Sequence, residues 1–397
     1  MEETTLKIKQ KYSRNYVAGY PLLMEETIAN PEVLTTEGEP LEIVMEDGTF
    51  IGKGYYGAQN KGLGWILTHK KTDQINGQLF EKKLTVALGR RSFLFEDEST
   101  TAFRIVNGEG DGLGGLIIDY YDGYYLLQWY SAGIYTFKDI IVSWIMQNTD
   151  AKGIYEKKRF SSEGHYVADE DFVTGERAEF PLLVKENDVI FATYLNDGAM
   201  TGVFLDQREV RKTLRDKYAE GKTVLNTFSY TGAFSIFAAL GGAASTTSID
   251  VANRSREKTE EQFKLNDIDP DKNKIIVDDV FSYYKRAAKL GESYDIVILD
   301  PPSFARTKKR IFRAAKDYSA LLKETIPITN KGGTIIASTN HAGLSQKKFR
   351  TFIEQAFEET GDKYKIQESF SLPKDFRTHP SFPDGDYLKV YFIQKLT

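Results

Sequence analysis

Residues Tyr294–Phe304 read YDIVILDPPSF. Tyr294, Ile296, Val297, Ile298 and Leu299 form an apolar, β-branched run that ends on Asp300-Pro301-Pro302. Such a run predicts a strand buried on both faces, at the centre of a sheet. Proline has no N–H and cannot extend a ladder, so the strand stops at Asp300. An acid is therefore left at the carboxyl end of a central strand, where open α/β sheets bind their ligands. Ionised Asp300 only accepts hydrogen bonds, and the carbonyls beside the two prolines are free to do the same. A cluster of acceptors suits a planar ligand that presents N–H donors, such as a nucleobase amine. The competing reading is an acidic strand end followed by a proline turn, and this stretch alone does not choose between them.

Working outward, residues from about 186 to 397 alternate strand-like and helix-like segments. KTVLNTF (222–228), STTSID (245–250), KIIVDDV (274–280) and GGTIIASTN (332–340) join the opening stretch as strands. GAFSIFAAL (232–240), RSREKTEEQFKLN (254–266), FSYYKRAAKL (281–290), RAAKDYSALLKETIPIT (313–329) and QKKFRTFIEQAFEET (346–360) read as helices. This alternation predicts an α/β fold with a parallel, doubly wound sheet. YKIQESFSL and DYLKVYFIQKL follow without a helix between them, which predicts an antiparallel edge.

Two smaller units precede it. Residues 1–73 are β-rich, with Asp47-Gly48 between two runs of β-formers as a hairpin turn. The basic stretch Lys7, Lys9, Lys11 and Arg14 beside Tyr12 and Tyr16 reads as a solvated strand end, with an RNA-facing edge as the alternative. Residues 74–185 read as a strand–helix–strand platform of α+β type. Its NGEGDGLGG segment (107–115) lacks the Gly-Lys-Ser/Thr ending of a phosphate loop and is taken as a turn between strands.

Composition bounds the chemistry. The chain has 397 residues, 41% hydrophobic and 27% charged, as in ordinary globular proteins of two or three domains. No apolar run reaches membrane-span length and the start shows no apolar signal core, so a cytoplasmic protein is expected. The net charge of -5 means that a nucleic-acid partner needs a local basic face. There are 0 cysteines, which removes disulfides, thiolate metal sites and cysteine nucleophiles. The 4 histidines (His69, His165, His341, His379) have no metal-ligand spacing, so no metal is expected.

Four acids or loops fall at corresponding strand ends. Asn226-Thr227-Phe228-Ser229-Tyr230-Thr231-Gly232 follows the first strand and opens a helix, whose N-terminus favours an anionic group. Asp250 ends the second strand at a spacing suited to ribose hydroxyls. Asp279 ends the third, with Phe281 close enough to cover an aromatic ring, and Asp300 ends the fourth. Each acid singly is also a good helix N-cap. Together they point to one nucleoside-bearing cofactor lying across the sheet edge.

The order NTFSYTG, SID, DDVF, DPPSF resembles class I S-adenosylmethionine methyltransferases with a Rossmann-like sheet. TGVFLDQR (201–208), RIVNGEGDGL (104–113) and GDYLK (385–389) resemble motifs of the large-subunit ribosomal RNA methyltransferase I family. That family has an N-terminal PUA domain, a middle domain and a methyltransferase domain, and the likeness runs nearly end to end. The resemblance implies S-adenosylmethionine as cofactor, RNA as partner, and a homodimer. The loop Phe228, Ser229, Tyr230, Thr231 and Gly232, with Asn226, would hold the methionine end, and Phe204, Gln207 and Arg208 would close over it. Asp250 with Val251 would meet the ribose. Asp279, Val280 and Phe281 would surround the adenine. Asp300, Pro301 and Pro302 would lie between methyl donor and target base.

Two departures matter. Met200 stands where the family usually has a lysine. Asn340, in Ser338-Thr339-Asn340-His341, stands where the 5-methylcytosine members carry a cysteine. Cytosine C5 needs a thiolate added at C6, and this chain has none. A ring nitrogen such as guanine N7 has its own lone pair and needs only positioning. STNH also resembles the SNN segment of guanine-N7 ribosomal RNA methyltransferases, and Asn340 could read a base edge with its amide or serve only as a strand-end turn residue. Phe304, Arg306, Lys308, Lys309 and Arg310 follow the acidic loop and, with His379, are candidates for binding substrate. For the basic run, a solvated helix start competes with phosphate binding. The expected activity is direct methylation of an RNA base. An inactive RNA-binding assembly factor and a small-molecule methyltransferase are the alternatives.

Overall fold

The structure is a computed structural model that describes residues 3–160, 171–198, 200–306 and 311–397. The expectations for Lys308, Lys309 and Arg310 fall outside the described residues. The chain forms two compact units: residues 1–184, 193–201 and 374–385 make one, and 185–192, 202–373 and 386–397 the other.

In the first unit, β1 (Thr4–Ile8), β2 (Pro40–Met45), β3 (Phe50–Gln59) and β4 (Gly62–Thr68) form one sheet in that order. Asp47-Gly48 turns β2 into β3, Gly48 supplying the positive φ of 86° that the turn needs. β1 pairs parallel to β2, a contact across some thirty intervening residues that no local turn announces. A second sheet holds β5 (Ala102–Asn107), β6 (Leu116–Tyr121), β7 (Tyr124–Trp129), β8 (Gly153–Lys158) and β9 (Phe172–Gly175). Residues 1–73 and 74–185, separate in the sequence reading, share a core: Leu22, Tyr55 and Trp65 pack with Phe80, Phe103, Leu127 and Trp129.

RIVNGEGDGL is structural here. Arg91 forks onto buried Asp111 at 2.7 and 2.8 Å and donates to the carbonyl of Asp375. The Asp375 carboxylate accepts from Arg104 N–H at 3.0 Å. A Cβ on Gly110 would stand 1.7 Å from the Arg377 carbonyl, so the glycine lets segment 374–385 lie against this turn.

The hairpin β10 (Leu182–Glu186) and β11 (Val189–Thr193) precedes the second unit's main sheet. That sheet contains β12 (Thr223–Thr227), β13 (Ser245–Asp250), β14 (Asn273–Val277), β15 (Tyr294–Leu299), β18 (Thr329–Thr339), β19 (Tyr364–Phe370) and β20 (Lys389–Lys395). Its order is β14-β13-β12-β15-β18-β20-β19, parallel as far as β18 and antiparallel at β20. Val297 and Leu299 pack under helices 280–290, 314–325 and 346–360, while Ile296 and Ile298 pack under helices on the opposite face. This two-sided burial explains the unbroken apolar run of the opening stretch. Helix Val280–Leu290 is capped by Asp279, which accepts from Ser282 N–H at 2.9 Å, and Gly291 ends it at φ 70°.

After Asp300 the chain departs from the sequence expectation. Arg306 and Arg313 lie not at a helix start but in a hairpin, where β16 (Phe304–Arg306) pairs antiparallel with β17 (Ile311–Arg313). The helix begins only at Ala314. The pairing pattern was hidden because each strand has three residues. No helix among the described residues is long and apolar enough to cross a membrane.

Candidate active site

Strand register brings the loops of the second unit to one edge. Thr227 lies beside Ile249 and Leu299, Leu299 beside Ala337, and Asp250 beside Val277. Residues 228–232, 250–253, 278–279, 300–303 and 340–345 all leave from that edge. β12 and β15 are neighbours where the strand order reverses, the crevice at which open sheets take ligands.

The loop after β12 is strained. Phe228 and Tyr230 hold φ of 56° and 52°, the left-handed region that costs a non-glycine residue about 1–2 kcal/mol. Tyr230 N–H donates to Asp250 Oδ2 at 2.9 Å, Ser229 N–H to the Ile249 carbonyl at 3.0 Å, and Thr231 Oγ1 to the Gly202 carbonyl at 2.7 Å. Strain held by this many bonds is typical of a loop that shapes a site. The other Asp250 oxygen accepts from Ala252 N–H at 2.9 Å, so among the described residues each oxygen of this partly exposed carboxylate meets one donor. Phe228 is partly exposed and leans on Phe281 and Phe312, with centroids 6.3 and 6.5 Å away. Phe204, 43% exposed, tilts over Tyr230 at 5.3 Å.

Asp300 sits at the centre. Gln207, 4% exposed, donates from Nε2 to Asp300 Oδ1 at 3.0 Å and to Ser338 Oγ at 2.9 Å. Its Oε1 is buried with no partner among the described residues. Asp300 keeps some exposed surface, yet desolvation pushes its carboxyl up to about 6. The negative Asp206 adds to the rise, while Ser338, Arg211 and Gln207 pull the other way. Tyr387 donates to Asp206 at 2.9 Å, tying GDYLK to VFLDQR. The Tyr318 hydroxyl lies 3.1 and 2.7 Å from the carbonyls of Leu299 and Ser338, clamping the ends of β15 and β18. Beyond it, Ser303 Oγ donates to Asn340 Oδ1 at 2.6 Å, with Asn340 exposed. The 55% exposed Phe304 and exposed Arg306 begin the hairpin next to this pair.

The remaining candidates each have a structural place of their own. Asn226 is buried below the loop and bonded to Ser235 at 3.0 Å. Gly232 is required by packing: its φ is 78° and a Cβ would meet Thr259 at 2.5 Å. Asp279 lies two residues past the end of β14 and works as the helix cap. Val280 and Phe281 are core residues, Val251 is exposed, and Arg208 is buried. His379 belongs to the first unit, where its Nδ1 accepts from Ser381 N–H at 3.2 Å; it is not brought together with Phe304 in one unit. The contacts of Gln207, Ser303, Ser338 and Tyr318 were missed by sequence reasoning, because each depends on neighbours 19 to 131 positions away. The one available signal was the shared strand edge.

A family model for S-adenosylmethionine-dependent methyltransferases matches residues 149–387, and one for PUA-like domains matches residues 6–69. The chain belongs to the S-adenosylmethionine-dependent methyltransferase family. This methyltransferase is 57% identical to YwbD of Bacillus subtilis (strain 168), a candidate ribosomal RNA large subunit methyltransferase, over 98% of this chain and 99% of that one. It is 28% identical to ribosomal RNA large subunit methyltransferase I of Klebsiella pneumoniae (strain 342), over 94% and 93%. Among solved structures it matches SMU.776, a candidate methyltransferase complexed with S-adenosylhomocysteine, at 37% identity and a TM-score of 0.91, over 98% and 100%. These relatives place it in the family its motifs resemble, and S-adenosylmethionine is its cofactor. The edge suits that molecule: among the described residues each Asp250 oxygen meets one donor and has room for a hydroxyl, Phe228 offers a ring face, and Gln207 Oε1 meets no partner.

Proposed function

We propose that this methyltransferase modifies a base of large-subunit ribosomal RNA by direct transfer to a ring nitrogen, guanine N7 being the favoured acceptor. The observation that carries this is Asn340 on the loop after β18, bonded to Ser303 of the loop that carries Asp300, in a chain with 0 cysteines. The names of its relatives support an RNA substrate. When bound, S-adenosylmethionine supplies an electrophilic methyl group. Asp250 holds the ribose hydroxyls and the strained Phe228–Gly232 loop faces the amino-acid end. Phe204, Gln207 and Arg208 close that end, and Asp279 with Phe281 borders the adenine. Asp300 and the Pro301 and Pro302 carbonyls orient the base. Held there, a ring-nitrogen lone pair of the base would lie in line with the methyl group that bound S-adenosylmethionine would supply. No proton has to leave, so the site needs no general base, only alignment and exclusion of water. Phe304 and Arg306 contact the RNA next to the target. Cytoplasmic residence and a homodimer belong to the same proposal, by likeness to the family.

The test is nucleoside mass spectrometry of ribosomal RNA from cells with and without the gene, complemented by wild type or Asp300→Ala. Loss of 7-methylguanosine, restored by wild type alone, is the expected result. Loss of 5-methylcytidine would overturn direct nitrogen transfer. No lost nucleoside would turn the reading towards an assembly factor or a small-molecule substrate.

A further inference from the structure

Ser303 and Asn340 lie on neighbouring loops, after β15 and β18, and bond side chain to side chain. Their 2.6 Å separation is an O–H···O length, below the usual N–H···O range of about 2.7–3.2 Å. Asn340 therefore turns its oxygen to Ser303 and its NH2 group away. Asn340 is exposed, and among the described residues Nδ2 meets no acceptor. Leu299 is level with Ala337, so Asp300 is level with Ser338 and Asn340 stands two residues further out, about 7 Å at the rise of a strand. A base seated against Asp300-Pro301-Pro302 thus meets an acceptor from one loop and a fixed donor from the other.

We propose that Ser303 is a specificity-determining residue: it locks Asn340 as a hydrogen-bond donor, and that donor selects guanine over adenine at the methylated position. The proposal rests on the ring-nitrogen reading above and deepens it. Next to N7, guanine presents the O6 acceptor and adenine the N6 amino donor. A fixed NH2 group satisfies O6 and opposes N6, where two N–H groups would face each other unpaired. Without the Ser303 hydroxyl the Asn340 amide can turn over and offer its oxygen instead, and the discrimination falls. Ser303 does not touch the reacting atoms and acts only through Asn340.

The experiment uses the full-length enzyme, methyl-labelled S-adenosylmethionine and large-subunit ribosomal RNA transcripts carrying G or A at the nucleotide found by mass spectrometry. Ser303→Ala is expected to narrow the G-to-A ratio of kcat/KM by about tenfold, one decade being a modest share of what one base contact discriminates. Ser303→Thr, which keeps a hydroxyl, is expected to restore the ratio. Asn340→Asp, an acceptor only, is expected to remove it. KM for S-adenosylmethionine should stay constant, whereas a general loss of structure would move it. A wild-type ratio in Ser303→Ala would overturn the role of Ser303 and leave the RNA reading standing. A wild type that methylates a nucleoside other than guanosine would overturn the selection of guanine alone. No transfer to RNA by wild type would overturn both.

Discussion

Asp300 couples function to stability. Its folded-state carboxyl titrates at about 6, above the ordinary value of 3.8, chiefly through desolvation. Between those values the folded chain holds a proton that the unfolded chain has released. That contribution is present in acid and is lost as pH rises through about 6. Asp300→Asn should therefore melt at a higher temperature than wild type at pH 8, the gap closing towards pH 4, while methyl transfer is lost. A lower melting temperature at pH 8 would mean that its neighbours, not desolvation, dominate. Wild-type transfer should rise with pH around 6, because Asp300 orients the base as an acceptor. Gln207→Leu removes the donor bonded at 3.0 Å and should shift that rise to higher pH, which a rate–pH profile reads. The acids at the strand ends were legible as a set. Their separate roles were not: Asp279 and Asp250 occupy similar chain positions, but one caps a helix and the other ties two loops. A cap and a ligand contact ask for the same residue type at the same place.

At the scale of elements, the β16–β17 hairpin is the feature that the sequence concealed. Arg306 and Arg313 are both exposed on it, beside exposed Phe304 and Ile311. If this arm meets RNA phosphates, each arginine releases counterions on binding. Arg306→Ala with Arg313→Ala should reduce the slope of log K against log salt by about 1.4–1.8, measured by titration of ribosomal RNA at several salt concentrations. An unchanged slope would remove the arm from the RNA contact. By contrast the central strand β15 was readable, because burial on both faces leaves a continuous apolar signature. A three-residue strand carries no period to detect.

Across the molecule, the chain passes repeatedly between its two units, and segment 374–385 belongs with residues 1–184 although β19 and β20 flank it. Asp375 and Phe376 are buried there, against Arg91 and Arg104. Residues 186–397 expressed alone would leave those two side chains without their partners. That fragment should be less soluble and melt earlier than the full chain. A fragment as stable as the full chain would show that the segment's packing contributes little. The sequence boundary near residue 186 rests on where the alternating pattern starts, and that pattern has no means of showing a later segment returning to the first unit.

What the sequence by itself determined is the strand–helix alternation, the central strand and its acidic end, the cofactor class by motif order, and the absence of a thiol nucleophile. These follow from period, from proline and glycine geometry and from residue identity, all of which are local. The tertiary structure alone decided that Gln207 and Ser338 hold Asp300, that Ser303 turns the Asn340 amide, that Gly232 answers to Thr259, and that His379 lies in the first unit. Each of these depends on which strand ends are neighbours and on how side chains far apart in the chain meet, and hydrogen bonding at that range leaves no pattern in the order of residues.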